Sequence, residues 1–241
     1  MAEIKEHEIE WTDEQVSRLW DYYSKTAPYN SIYFTSVYAY DILQYTKKYI
    51  NLNQKTILDF GSGAGHFIDE VNQQYLPKKY YALDFSPASI EAIAEKKISF
   101  ELETVLGGEF PSKVSDNSVD VCFFIEVIEH LNDEYLSQSL SEIYRVLKPG
   151  GVLVLTTPND EVLNDGKLFC PECACIFHKW QHQRTWTVNS LKRELKNFNF
   201  TAKNVQVTNL KTKNKLKNVF RSLKALYQQQ KPKNIVGIFE K

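Results

Sequence analysis

Two carboxylates and an imidazole follow a run of apolar residues near the middle of the sequence. Glu126, Glu129 and His130 end the stretch VDVCFFIEVIEHL, whose apolar residues predict a buried strand. Carboxylate and imidazole groups form an oxygen and nitrogen ligand set that suits Mg²⁺, Mn²⁺, Fe²⁺ or Zn²⁺. Without a metal ion, any one of the three catalytic candidates could instead act as a general base. A third interpretation gives His130 only a hydrogen bond to the backbone.

Three of the four cysteines, Cys170, Cys173 and Cys175, lie within six residues. With His178 and His182 they give the spacing C-x2-C-x4-H-x3-H. This spacing resembles a zinc knuckle, because thiolate and imidazole are the usual ligands of structural zinc. Cys175 could replace either histidine. The alternative is a reduced loop that covers the substrate and whose histidines serve elsewhere.

A glycine-rich turn follows the first predicted strand of the domain. Gly61, Gly63 and Gly65 let the chain turn sharply and approach a ligand closely. Asp59, just before the turn, would repel a pyrophosphate but suits the amine of a methionine moiety. Asp84 ends the next strand, 19 residues after Gly65, where an acid binds ribose hydroxyls in doubly wound folds. A plain strand–turn–helix remains the alternative.

Alternating strands and helices must position these residues. The predicted strands are 55–60, 79–86, 98–106, 118–125, 152–158, 201–210 and 234–241, and the predicted helices include 87–97, 133–147 and 188–196. Residues 159–186 are predicted to be irregular. This alternation predicts a parallel sheet with helices on both faces.

Four stretches resemble the successive motifs of the class I S-adenosylmethionine-dependent methyltransferases: ILDFGSGAGHF, YYALDFS, SVDVCFFIEVIEHL and LKPGGVLVLTTPN. The resemblance covers roughly residues 52–160. It implies an α/β, Rossmann-like fold: a doubly wound, seven-stranded, mostly parallel sheet with an antiparallel last strand. The implied cofactor is S-adenosyl-L-methionine.

The same resemblance assigns residues to the parts of the cofactor. It implies that the methionine end is bound by Asp59, Gly61, Gly63 and Gly65, the ribose by Asp84, and the adenine by Phe85. Relatives often carry an acid for the adenine amine near the end of the third strand. In this chain Glu109, within VLGGEFP, is the candidate.

The segment EVIEH is similar to the metal motif of the small-RNA 3′-terminal 2′-O-methyltransferases and to the ubiquinone-pathway O-methyltransferases. In the RNA enzymes a later histidine completes the site, with three residues between it and Trp-Thr, and His182 matches this spacing. The implied metal ligands are Glu126, Glu129, His130 and His182. Because one histidine rarely serves two sites, the zinc alternative then consists of Cys170, Cys173, Cys175 and His178.

Charge and aromatic residues suggest how the chain is organised. Residues 1–50 are predicted to form an N-terminal helical cap, whose aromatic residues cover the cofactor, and residues 51–241 form the methyltransferase domain. That domain carries a Cys/His insert at 159–186 and a basic hairpin insert at 211–233. Between Thr201 and Phe239 there are eight lysines, one arginine and no acid. The basic helix in this insert has either a solvated face or a site for an anionic or lipid-linked substrate, and RNA is the less favoured partner.

The chain of 241 residues has a net charge of −1, no secretory signal and no segment that could span a membrane, so a cytoplasmic location is expected. The predicted function is methyl transfer to the oxygen of a small hydroxylated molecule, such as a sugar, glycan intermediate, phenol or quinone, assisted by a divalent cation. One alternative is an RNA 2′-O-methyltransferase, against which stands the lack of a separate RNA-binding domain. The other is a non-catalytic cofactor- or zinc-binding partner protein, against which stand the glycine turn and both strand-end acids.

Overall fold

The computed structural model describes residues 5–27, 29, 33–214, 216, 218–219 and 232–241. Its strands are β1 (His7–Glu8), β2 (Thr56–Phe60), β3 (Lys79–Asp84), β4 (Glu101–Leu106), β5 (Val119–Ile125), β6 (Leu147–Pro158), β7 (Lys167–Phe169), β8 (Cys175–His178), β9 (Thr201–Thr208) and β10 (Asn234–Glu240). Its helices are α1 (Asp13–Lys25), α2 (Phe34–Thr46), α3 (His66–Gln74), α4 (Pro87–Ala94), α5 (Asp133–Val146) and α6 (Val188–Asn197).

Seven strands form the central sheet in the order β4-β3-β2-β5-β6-β10-β9. β2, β3, β4, β5 and β6 run parallel to one another, and β10 runs antiparallel to both β6 and β9. The predicted α/β fold, with an antiparallel last strand, is therefore confirmed. The carboxyl ends of β2, β3, β5 and β6 meet at one edge of the sheet, which is where open α/β sheets bind ligands.

The strand β5 shows why the sheet must be covered on both faces. Cys122 and Phe124 belong to one buried cluster, whereas Val121, Phe123 and Ile125 belong to the other. Side chains alternate between the faces of a strand, so an apolar run without polar interruptions needs helices on both sides. Helices α5 and α6 cover the first face, and α2, α3 and α4 cover the second.

The segment 159–186 is not irregular, so that prediction is wrong. After a short 3-10 turn at Leu163–Gly166, β7 pairs antiparallel with β8, and β1 adds to β8 in parallel. These strands have two to four residues each, too few to show a period of two in the sequence. The resulting three-stranded sheet attaches the N-terminal segment to the insert.

Other predictions concern the two ends of the chain. The helical cap at 1–50 contains α1 and α2, and the division of the chain at residue 50 stays a prediction. Most of the basic helix predicted within 211–233 lies outside the described residues, and so does any ligand site on it. Among the described residues, no helix has the length and apolar character needed to cross a membrane.

Candidate active site

The glycine turn is held against the end of β3. Gly61 and Ser62 donate backbone hydrogen bonds to the Leu83 carbonyl at 2.8 and 2.9 Å. Gly63 donates from its backbone N–H to Oδ2 of Asp84 at 2.7 Å. Gly61 has φ of +86°, and a Cβ there would lie 2.4 Å from Cγ2 of Val127. Glycine is therefore required at residue 61 both by the backbone angle and by close contact with the next strand end.

Asp84 occupies the position expected of a ribose ligand. Its other oxygen, Oδ1, accepts a hydrogen bond from the Ser86 backbone at 2.9 Å. Burial raises the pKa of Asp84, and the backbone donors oppose that shift. The next residue, Phe85, contacts the Tyr135 ring edge to face at 5.7 Å. Asp84 and Phe85 both line a large cavity, together with Gly61 and Gly63.

Two of the predicted cofactor ligands lie away from this cavity wall. Asp59 is 2% exposed, and its Oδ2 accepts a hydrogen bond from the Tyr80 hydroxyl at 2.8 Å. Burial raises the pKa of Asp59 to about 7. Gly65 begins α3 with φ of +77°, and a Cβ there would meet Lys96 and Ile93. The roles of Asp59 and Gly65 at the methionine end stay predictions.

The EVIEH segment turns directly after β5. Glu126 has φ of +52°, in the left-handed region, and its backbone N–H donates to the Thr156 carbonyl at 3.0 Å. His130 donates from its backbone N–H to the Val127 carbonyl at 2.9 Å, which closes the turn. Left-handed backbone is rare for glutamate and often marks functional turns. Here it directs the segment along the cavity wall, next to the glycine turn.

Each glutamate of EVIEH has one buried side-chain oxygen without a hydrogen-bond partner. Glu129 is 1% exposed, and its Oε2 accepts a hydrogen bond from the Thr157 hydroxyl at 3.0 Å. Its Oε1 has no hydrogen-bond partner and lies 3.8 Å from Nε2 of His130. Burial raises the pKa of Glu126 to about 8, and burial together with the Glu126 charge raises the pKa of Glu129 well above its ordinary value. Two acids at this depth favour a shared cation or proton.

The surroundings of His130, whose side chain is 11% exposed, favour the neutral imidazole. Burial, and then the neighbouring His182, lower its pKa to about 3. Its Nδ1 is buried without a hydrogen-bond partner. The His130 and His182 rings lie 4.8 Å apart, and ligand atoms of Glu129, His130 and His182 lie within 4.8 Å of one another. Three of the four predicted metal ligands therefore come together, from two segments about 50 residues apart.

A second cluster shares His182 and contains a residue that the sequence analysis missed. Oε2 of Glu161 lies 2.5 Å from Nδ1 of His182, and the His178 ring stacks on His182 at 4.6 Å. Nε2 of His178 lies 3.9 Å from Oε1 of Glu161 and has no hydrogen-bond partner. Glu161 follows the end of β6 by three residues, and this position could have identified it. Glu126 lines the same cavity but belongs to neither three-residue cluster.

The cysteines lie apart from these clusters. Among the described residues, no group of three ligand atoms within 4.8 Å joins His178 to a cysteine. Instead, His178 is buried beside His182 and accepts the His182 backbone N–H at 3.1 Å. The predicted set of Cys170, Cys173, Cys175 and His178 is thus not assembled, because the strand β8 separates His178 from the cysteine turn.

Aromatic residues of the N-terminal segment cover the cavity. Trp20 donates from Nε1 to Oε1 of Gln181 at 3.2 Å, and its ring meets His130 edge to face at 5.0 Å. The Tyr23 hydroxyl donates to the Lys179 carbonyl at 2.5 Å. The covered cavity has a volume of about 1160 Å³. Single ligand pockets usually measure roughly 300–1,000 Å³, so this cavity has room for a cofactor and an acceptor together.

This sheet order, with a glycine turn after the first parallel strand and an acid after the second, is that of the class I S-adenosylmethionine-dependent methyltransferases. A family model described as "Methyltransferase domain" matches residues 29–206. The chain belongs to this methyltransferase family.

Individual relatives agree with that assignment. The malonyl-[acyl-carrier protein] O-methyltransferase 1 of Coxiella burnetii is 30% identical over 118 residues, which are 48% of this chain and 38% of that protein. The demethylmenaquinone methyltransferase of Protochlamydia amoebophila is 31% identical over 135 residues, 52% of this chain and 55% of that protein. The matched regions thus cover well under two thirds of these curated relatives.

A solved structure shows the same fold at low identity. It is the 1,6-didemethyltoxoflavin-N1-methyltransferase of Burkholderia thailandensis, bound to 1,6-didemethyltoxoflavin and S-adenosylhomocysteine. The TM-score is 0.61 at 13% identity, with 98% of this chain and 92% of that chain covered. The family match confirms that the chain is a member of the methyltransferase family, and this structure agrees with the predicted fold.

Proposed function

We propose that this protein transfers the methyl group of S-adenosyl-L-methionine to an oxygen of a small hydroxylated molecule, with a divalent cation bound beside the EVIEH segment. Sugars, glycan intermediates, phenols and quinones are the acceptor classes. One observation carries the proposal: buried carboxylate and imidazole atoms without partners line the same cavity as the glycine turn and Asp84. The printed names of the two curated relatives support O-methylation and a quinone-type acceptor, respectively.

The cofactor would occupy the half of the cavity at β2 and β3. Asp84 would accept hydrogen bonds from the ribose hydroxyls, and Phe85 would lie against the adenine. Gly61 and Gly63 have no side chains, so the methionine end of the cofactor could lie close to their backbone. This arrangement would direct the reactive methyl group toward Glu126 and Val127, where β5 ends.

The residues beside EVIEH fit a divalent cation. Oε1 of Glu129, Nδ1 of His130 and Nε2 of His178 are buried without hydrogen-bond partners, and a buried polar atom in that state is destabilising. Glu129, His130 and His182 would hold the ion, with Glu161 as an added oxygen ligand. A bound divalent ion lowers the pKa of a coordinated hydroxyl and fixes its orientation.

The protein side chains would supply the remaining steps. Glu126, whose carboxylate lines the cavity beside these ligands, would accept the proton that the acceptor hydroxyl loses. Trp20 and Gln181 close the cavity above His130, which excludes water from the sulfonium. Positioning of the oxygen in line with the methyl carbon would then provide much of the rate, because the sulfonium is already activated.

RNA is the second candidate acceptor, and one observation favours it. Glu129, His130 and His182 come together as the resemblance to the RNA 2′-O-methyltransferases implies. The aromatic cap over the cavity favours a small molecule instead, because a polymer end must enter past Trp20 and Tyr23. An anionic or lipid-linked substrate at the basic insert, and a cytoplasmic location, stay predictions.

The experiment is methyl transfer from labelled S-adenosylmethionine to separate pools of sugars, phenols, quinones and RNA. Label in one of the small-molecule pools, at oxygen, is the expected result. Label found only in the RNA pool would instead support RNA as the methyl acceptor. Binding of S-adenosylhomocysteine without transfer to any pool would instead support a non-catalytic partner protein.

A further inference from the structure

The short strand β1 brings a histidine next to the cysteine turn. In the parallel pairing of β1 with β8, His7 is the register partner of Cys175. Register partners on neighbouring strands lie on the same face of a sheet, with the strands about 4.8 Å apart. The two residues are 168 positions apart in the sequence, so their spacing could not have suggested this pair.

Two backbone hydrogen bonds close the cysteine turn. Cys170 donates from its backbone N–H to the Cys175 carbonyl at 2.8 Å, and its carbonyl accepts a hydrogen bond from the Ala174 N–H at 2.9 Å. Ala174 has φ of +57°, which folds the chain back on itself. The backbone N–H groups of Cys173 and Glu172 lower the pKa of the Cys170 thiol, which favours the thiolate form in which cysteine binds metal.

The Cys173 thiol is a neighbour of both the Cys170 and the Cys175 thiols and influences the pKa of each. Among the described residues, no three ligand atoms of Cys170, Cys173, Cys175 and His7 lie within 4.8 Å of one another, so metal binding would draw these side chains together. Cys175 is buried, whereas Cys173 is exposed, so a metal ion can enter from the Cys173 side. Three thiols alone leave one position of a tetrahedral zinc site unfilled.

The His7 ring would supply the fourth ligand through Nε2. Nδ1 of His7 lies 3.2 Å from the Lys5 carbonyl oxygen, which can only accept a hydrogen bond. A proton on Nδ1 would satisfy this contact and leave Nε2 to bind the metal ion. A hydrogen bond from the other ring nitrogen to a carbonyl is the usual support of a metal-binding histidine.

We propose that Cys170, Cys173, Cys175 and His7 form a structural zinc site. This Cys₃His site is separate from the Glu129 and Glu161 clusters and does not use His178. It would clamp the N-terminal segment onto the insert, a few residues before α1. Because α1 carries Trp20 and Tyr23, zinc would hold the aromatic cap in place over the cavity.

Cobalt substitution of the reduced full-length chain tests the site. Co²⁺ bound to thiolates gives an intense sulfur-to-metal charge-transfer absorption, whereas the glutamate and histidine clusters, which have no sulfur, do not. The wild type is expected to show this band, and Cys173→Ser to lose most of it. His7→Ala should weaken Co²⁺ and Zn²⁺ binding at least about tenfold, as even loss of a hydrogen-bond partner of a ligand often does.

Two matched variants separate the possible outcomes. Glu8→Gln changes the opposite face of the same strand and should keep the band and the affinity. His178→Ala removes the histidine of the sequence-predicted zinc set and should keep the sulfur-to-metal band, which the clusters without sulfur do not produce. Binding of S-adenosylhomocysteine by each variant checks that it is folded. Any one of three results would overturn the proposal: no band in the wild type, unchanged metal affinity in His7→Ala, or loss of the band in His178→Ala.

Discussion

The two halves of the cavity differ in how their polar groups are paired. In the cofactor half, both oxygens of Asp84 accept backbone hydrogen bonds, from Gly63 and Ser86. In the acceptor half, atoms of Glu126, Glu129, His130 and His178 are buried without hydrogen-bond partners. The first half has a fixed shape that backbone hydrogen bonds maintain. The second half has buried polar atoms that could bind a ligand, and leaving them unpaired lowers the stability of the protein unless the site binds a charged group.

The largest expected effect comes from removing single ligands in the acceptor half. Glu129→Gln, His130→Ala and His182→Ala should each lower turnover on the order of a thousandfold, since a metal ion can supply several kcal/mol to the transition state. Combined variants should lose little more, because the residues serve one ion. Steady-state kinetics measure both effects.

A matched control distinguishes the loss of a metal ligand from a general loss of stability of the fold. Glu134→Gln, at an exposed position on α5, should have wild-type turnover. The affinity for S-adenosylhomocysteine should stay near wild type in every variant, because the cofactor half is unchanged. A single dominant residue, with His182→Ala fully active, would indicate a general base without a metal ion.

The next largest effect concerns cofactor affinity. Asp84→Ala should weaken binding of S-adenosylhomocysteine at least about tenfold, because each hydrogen bond to a charged acceptor contributes roughly 1.5–3 kcal/mol. Calorimetric titration measures the change. Glu109→Ala, a substitution at an exposed residue, should bind as the wild type does. Equal losses of affinity in both variants would indicate that Glu109 contacts the adenine.

A smaller effect should appear where the two halves touch. Gly61→Ala places a Cβ 2.4 Å from Cγ2 of Val127 and should weaken S-adenosylhomocysteine binding. The double variant Gly61→Ala with Val127→Ala removes the contact and should recover part of the affinity. Full recovery is not expected, because alanine at φ of +86° still costs roughly 1–2 kcal/mol. If the double variant binds no better than the single one, the contact between the halves is unimportant.

The smallest effect on cofactor binding is expected for Asp59→Asn. The Asp59 carboxylate lies on the Tyr80 hydroxyl rather than on the cavity wall, so affinity should fall less than in Asp84→Ala. Stability should respond instead. Burial raises the pKa of folded Asp59 from 3.8 to about 7, so the folded state holds a proton that the unfolded state releases.

The sign of that stability effect is specific. As the pH rises from about 4 to 7, the unfolding free energy of the wild type should fall relative to that of Asp59→Asn, because the unfolded carboxyl ionises while the buried one keeps its proton. Urea unfolding at several pH values measures the difference. If the difference in unfolding free energy between the two proteins did not change with pH, Asp59 would already be charged at low pH. A charged Asp59 is what an ion pair with the amine of a ligand would require.

The sequence predicted the central sheet because the strands at its centre are apolar and are followed by turn or helix signals. It also predicted the pairing of Glu129 and His130 with His182, through a motif rather than through spacing. Glu161 was missed because it belongs to no motif, and only its position shortly after the end of β6 could have identified it. The neighbours of the cysteines were missed for another reason: β1 and β8 are too short to show periodicity, and His7 lies at the far end of the chain.

The most direct test of the central claim is a titration of metal-free protein with Mn²⁺, followed by electron paramagnetic resonance of the free ion. The site contains oxygen and nitrogen ligands, so we expect about one bound equivalent, lost in the double variant Glu129→Gln with His182→Ala. Cys173→Ser should bind as the wild type does, because thiolates are poor ligands of Mn²⁺. A spectrum of free Mn²⁺ alone in the wild type, or equal binding by the double variant, would contradict the account.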